Sequence, residues 1–274
     1  MIGILMAAAR PRWLNMSLAV TDGQPEELLD LAGNKGASRN ARIGNTAMLL
    51  ERLRPTADWV PPVEGDLVAP YGFFQGRAII GSHSRIAGGV YLGRRPREAI
   101  VVDFSRQDGD LLRVYRELVE QIQADVRSTT LWPLSARKLR QRASDLLRCE
   151  ICTRMRALIA REMPFSRPIV AQVARDHKLG ADDKILLDVY IRRHGGVCRH
   201  QVCLIGALLE RLVDEGWLSG QVAIVRKHAP GHFSHAWIRY DGAEGAVYIF
   251  DAAQDLYVEL QQLAPDGQLF YSGQ

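Results

Sequence analysis

The chain has 274 residues, 47% of them hydrophobic and 24% charged, which supplies apolar side chains for one large core or two small ones. Its 35 basic and 31 acidic residues leave a formal charge of +4 spread along the whole length, with no run of five or six like charges, so composition argues against a nucleic-acid partner. No apolar run approaches the ~20 residues that span a bilayer, and no basic residue precedes the short apolar stretch in MIGILMAAAR, so neither a membrane span nor a signal peptide is expected. The four cysteines are then expected as free thiols in the cytoplasm.

In chain order, two helix-like pieces, EELLDLAG and TAMLLERLR, flank the Gly-, Asn- and Arg-rich stretch NKGASRNARIGN. The segment DWVPPVEGD follows, where Pro61 and Pro62 mark a linker and place a boundary near residue 65. Residues 1–65 therefore form a helical, partly mobile N-terminal segment, suited to a propeptide or a partner-binding arm, and residues 66–274 form the main domain. The runs GRAIIGSH, GGVYLG and REAIVVDF, punctuated by glycines, predict a small antiparallel sheet. A helix is predicted over about 109–126, a long amphipathic one over about 135–163, and further helices over 168–178 and 182–193. The arginines of the long helix read as a solvated face.

The informative stretch is HGGVCRHQVCLIGALLERLVDEGW. Gly195 and Gly196 read as a permissive turn, after which Val202, Ile205, Leu208, Leu209 and Leu212 follow helical spacing until Gly216. Cys198 thus opens a buried helix, where the partial positive charge and the unpaired amides favour a thiolate and can hold an oxyanion. Three extended pieces follow: QVAIVR (221–226), SHAWIRY (234–240) and AVYIFD (246–251). A hairpin folding about Ala243 places Tyr240 opposite Ala246, Ile238 opposite Tyr248 and His235 opposite Asp251, on one face. A slip of one residue would separate the last two. Asp255 is then the nearest downstream carboxylate. A cysteine at a helix start and a histidine beside a carboxylate make a Cys-His-Asp arrangement for nucleophilic catalysis, with Cys198 as nucleophile, His235 as base and Asp251 orienting the imidazole.

Gly196-Val197-Cys198-Arg199-His200, Ser234-His235-Ala236-Trp237 and Ile249-Phe250-Asp251 resemble, in order and spacing, the signature segments of the transglutaminase-like cysteine hydrolases. Through Cys198-Arg199-His200 the closer likeness is to the peptidase-like domain of plant ethylene-response and disease-resistance kinases. The resemblance covers about residues 165–260. It implies an α+β protein with a papain-like core, the cysteine helix packed on an antiparallel sheet. It also implies cleavage of an amide bond, foremost a peptide bond, through a thioester, with a protein or peptide as substrate and no cofactor. The superfamily includes transglutaminases, peptide N-glycanases, many bacterial peptidases and members that have lost catalysis, so the alternatives are a transglutaminase or glutamine deamidase and a catalytically inactive interaction module.

Around this triad, Arg199 either holds an acidic group of the substrate or pairs with a local carboxylate, Trp237 either walls the site or packs in the core, and His232, with His228 in the loop KHAPGHF, is a candidate substrate contact. His200, about 200° round the helix from Cys198, is expected to make a structural hydrogen bond. Cys203 reads as a core thiol, and the pair Cys149 and Cys152 lacks the further ligands of a zinc site, so no metal is expected. Gln172 is a candidate side-chain oxyanion donor by residue type alone.

Overall fold

Residues 59–60, 71–82, 84–93, 97–129, 134–228 and 234–272 are described by the structure, a computed structural model. The expected N-terminal segment, apart from Trp59 and Val60, lies outside them, as do the boundary near residue 65 and His232. The described chain mixes helix and sheet, and among the described residues no helix is long and apolar enough to cross a membrane.

The region expected as one antiparallel sheet forms two small ones. β1 (Trp59–Val60), β2 (Phe73–Phe74) and β3 (Arg77–Ala78) pair antiparallel in that order. β4 (Val90–Tyr91) pairs antiparallel with β5 (Ala99–Val101), whose other edge takes β6 (Lys184–Leu186) in parallel. β6 corrects the helix predicted over 182–193: helix begins only at α4 (Leu187–Arg192). The short apolar run Ile185-Leu186-Leu187 carries no period that separates strand from helix. Long-range backbone bonds decide it, with Asp182 N donating to Arg97 O at 2.7 Å and Ala99 N to Asp183 O at 2.9 Å.

α1 (Asp110–Ser128) and α2 (Ala136–Glu162) match their predicted spans to within a few residues and pack on each other. On α2, Ala143, Leu147, Ile151, Met155 and Leu158 bury one stripe. The outward arginines largely find acids within the chain, including Arg154 with Asp125 at 2.7 Å and Arg156 with Asp255. α3 (Arg167–Asp176) starts on Ser166, whose Oγ accepts the Ile169 amide at 3.3 Å.

α5 (Cys198–Asp214) is the centre of the core. Val202 to Leu209 are all buried, so this helix is apolar on every side, as a helix enclosed by other elements must be. It ends where the amides of Gly216 and Trp217 return to the carbonyls of Val213 and Leu212 at 3.0 and 2.8 Å. One flank lies on a four-stranded antiparallel sheet of order β10-β9-β8-β7: β7 (Gly220–His228), β8 (Ser234–Gly242), β9 (Val247–Asp251) and β10 (Leu256–Glu259). Strand alternation gives this sheet two faces. Ala236, Ile238, Tyr240 and Phe250 join the core of α5, whereas Trp237, Ile249 and Leu256 form a second cluster with Leu263 and Tyr271 of the C-terminal region. There α6 (Pro265–Tyr271) covers the outer face.

Candidate active site

The loop that leads into Cys198 is tied down before its helix starts. Gly196 N donates to Pro164 O at 3.1 Å, Ser166 N to Gly196 O at 2.7 Å, and Gln201 Nε2 to Met163 O at 3.1 Å. The two glycines do not serve as the expected permissive turn, because the left-handed residue is His194 at φ 48°. Gly196 is needed for space instead: a Cβ there would lie 2.8 Å from both Met163 Sδ and His200 Cβ.

Below the loop lies a buried polar cluster. Val197 N donates to His200 Nδ1 at 3.1 Å while His200 N donates to Val197 O at 2.8 Å, so His200, at the third helical position, makes the half of a capping box normally made by Glu or Gln, and the main-chain carbonyl of Val197 stands in for the missing side-chain acceptor. With Nδ1 accepting, the ring proton sits on Nε2, which donates to Glu98 Oε1 at 3.1 Å. The Glu98 oxygen also receives Arg199 Nε at 3.0 Å, Arg199 Nη2 and the Tyr190 hydroxyl at 3.3 Å. Burial, opposed by the Glu98 hydrogen bond, pushes His200 down to about 4, which keeps it neutral. Burial acts to raise Glu98, but its hydrogen bond to His200 and the Arg199 charge outweigh that and hold it down at about 2. His200 thus has its structural bond. Arg199 is corrected as a substrate contact: its guanidinium is buried against Glu98, and it fastens the first turn of α5 to the residue ahead of β5.

On the open side of the same turn, Cys198 is partly exposed, with His235 the first of the groups that draw its thiol below the ordinary value. His235 Nε2 lies 2.6 Å from Asp251 Oδ2, which leaves Nδ1 for the thiol. Asp251 is fully buried; its Oδ2 also accepts the Tyr271 hydroxyl at 2.8 Å, and its Oδ1 the Gln254 amide at 3.2 Å. Burial lowers His235, but its bonds to Asp251 and Cys198 and their charges prevail and push it up to about 10. Burial likewise acts to raise Cys198, and is outweighed by the His235 hydrogen bond and the positive charges of His235 and Arg199, so the thiol is held below its ordinary value. Both shifts favour an imidazolium paired with a thiolate.

The contact between His235 and Asp251 arises by a register different from the expected one. Tyr240 pairs with Tyr248 and Ile238 with Phe250. The connection is four residues long, 243–246, with Gly242 N donating to Ala246 O at 2.8 Å and Gly245 left-handed at φ 86°. The hairpin is displaced by two residues from one folding about Ala243. An even displacement preserves the face, so Asp251 stands beyond the last pair, opposite Trp237, and meets His235 on the diagonal.

Trp237 is corrected as a substrate wall. It has no exposed surface, packs edge-on to Tyr271 at 5.2 Å and stacks on Phe270 at 5.3 Å, and so backs His235 from the inside. Gln172 is exposed on α3. Asp255, the fallback carboxylate, is engaged with Arg156. Cys203 is fully buried and pushed up to about 12 by that burial, as a core thiol should be. Cys149 is exposed, and no group of three or more potential metal ligands occurs among the described residues. Sequence reading missed Glu98, Tyr190 and Tyr271. The first is an acid preceding an apolar strand and the other two are aromatics in short helices, none of which carries a local motif. The chain matches no protein-family model, no curated protein and no solved structure.

Proposed function

We propose that the protein is a cysteine-dependent hydrolase of the transglutaminase-like, papain-fold kind that cleaves an amide bond, foremost a peptide bond, in a protein or peptide. The observation that carries this reading is His235 held between a partly exposed thiol at a helix start and a fully buried carboxylate. α5 lying on an antiparallel sheet supports the fold assignment.

In the proposed reaction the Cys198 thiolate attacks the amide carbonyl carbon, and the carbonyl electron pair moves to oxygen, where the free Cys198 amide at the start of α5 receives it. His235, protonated, gives its proton to the leaving nitrogen as the carbon–nitrogen bond breaks, which leaves a thioester and a neutral imidazole. The imidazole then takes a proton from water as the water attacks the thioester, and collapse of that adduct releases the acid and restores the ion pair. Asp251 keeps Nε2–H engaged throughout, so that Nδ1 always faces the sulfur. A primary amine in place of water would give acyl transfer, and a glutamine side chain as the first substrate would give deamidation.

The test is cleavage of a peptide library run beside incorporation of a labelled amine, with wild type compared to Cys198→Ala and His235→Ala. Cleavage lost in both variants supports hydrolysis. Amine incorporation in its place would move the reading to acyl transfer. A Cys198 that alkylates no faster than free cysteine would sink both.

A further inference from the structure

We infer that Tyr271 is a positioning residue for the Cys198–His235 pair, acting through Asp251; this rests on the triad reading above. Two donors converge on one oxygen of Asp251: His235 Nε2 at 2.6 Å and the Tyr271 hydroxyl at 2.8 Å. The imidazole N–H and the phenol both donate to Oδ2, which has a lone pair for each. The other oxygen is held by the Gln254 amide at 3.2 Å, so the carboxylate plane is set by one main-chain bond and one side-chain bond besides His235 itself. Without the hydroxyl, the oxygen that faces the imidazole has no anchor other than the group it is meant to orient.

Tyr271 is well placed to be that anchor. Its ring is fully buried and packs edge-on against Trp237, two residues along the same strand from His235. The helix that carries it is stapled to that strand: Arg239 Nη1 donates to Ser272 O at 2.7 Å, and Arg239 Nε is held by Asp241 at 2.8 Å. α6 is thus tied to β8 by a main-chain bond at its end and by ring packing along its length. The C-terminal helix, remote in sequence from Cys198, belongs to the catalytic apparatus.

The experiment is the pH dependence of Cys198 alkylation by iodoacetamide, resolved from the other thiols by peptide mass spectrometry, in wild type, Tyr271→Phe and Tyr271→Ala. This readout needs no substrate, and thermal melting checks that each variant is folded. The phenylalanine variant keeps the ring against Trp237 and removes the hydroxyl alone. The expected result in Tyr271→Phe is an acid limb of alkylation raised by about one pH unit, with the rate on that limb about tenfold lower. A Tyr271→Phe profile that superimposes on wild type overturns the inference and leaves the triad standing, even where Tyr271→Ala is slow, because packing alone then accounts for the residue. A wild-type Cys198 that titrates as an ordinary thiol overturns the triad and the inference together.

Discussion

Replacing Asp251 by Asn removes one charge at nearly constant volume and isolates what the carboxylate does for His235. The imidazole stands at about 10 against an ordinary 6.5, and burial works against the rise, so the bonds and charges of Asp251 and Cys198 must more than make up the difference. At about 1.4 kcal/mol per pH unit the net displacement corresponds to roughly 5 kcal/mol in favour of imidazolium. The Asp251 hydrogen bond is the larger of the two that raise it. Asp251→Asn is therefore expected to lower His235 by about 1–3 units, the usual effect of one close opposite charge. The measurement is an NMR titration of the imidazole nitrogens in nitrogen-15 histidine-labelled protein, with His235 assigned by its own substitution. Repeating it in a Cys198→Ala background separates the carboxylate from the thiolate. A His235 that titrates within half a unit of wild type in Asp251→Asn would refute the reasoning, because the short bond to Oδ2 would then contribute nothing to the charge on the ring.

Three further outcomes follow from the same geometry. His200 is depressed to about 4, so the unfolded chain binds its proton first: the stability His200 contributes is complete above pH 6.5 and lost as pH falls toward 4, a loss of roughly 3 kcal/mol. Glu98, depressed to about 2, loses its contribution only below pH 4.5, so urea melts should lose less stability between pH 6.5 and 4.5 in His200→Gln than in wild type, and an unchanged slope there would count against the buried neutral histidine. Asp255→Asn breaks a solvent-exposed pair with Arg156 and should leave thiol reactivity unchanged and stability within about 1 kcal/mol; inactivation to the level of Asp251→Asn would make Asp255 the third member of the site. Leu208→Ala empties a fully buried position on α5 and should cost about 2–5 kcal/mol in chemical denaturation, whereas a loss well under 1 kcal/mol would mean that the helix is not enclosed as described.

The meeting of Cys198, His235 and Asp251 was legible because each depends on a local rule. A glycine pair before an apolar run marks the helix start, and period-two alternation keeps His235 and Asp251 on one face even though the hairpin turns one residue later than expected. α1, α2 and α5 were legible from their periodicity. What sequence could not disclose depends on partners far away in the chain. β6 is a strand because β5 is beside it, and Arg199 is a structural cation because Glu98 is there to receive it. Trp237 alternates onto the face of His235 as expected, but α6 covers that face, and nothing in the strand itself foretold the cover.

The bond from Arg199 to Glu98 joins residues 101 positions apart, and β5 meets β6 across a comparable span. Closing a loop of that length before any reward is collected places such contacts late in folding. The helix that bears the cysteine can form early from local preference, yet its first turn is seated only when the segment around Glu98 arrives. The seat of Cys198 is thus tied to a segment that lies far ahead of it in the chain.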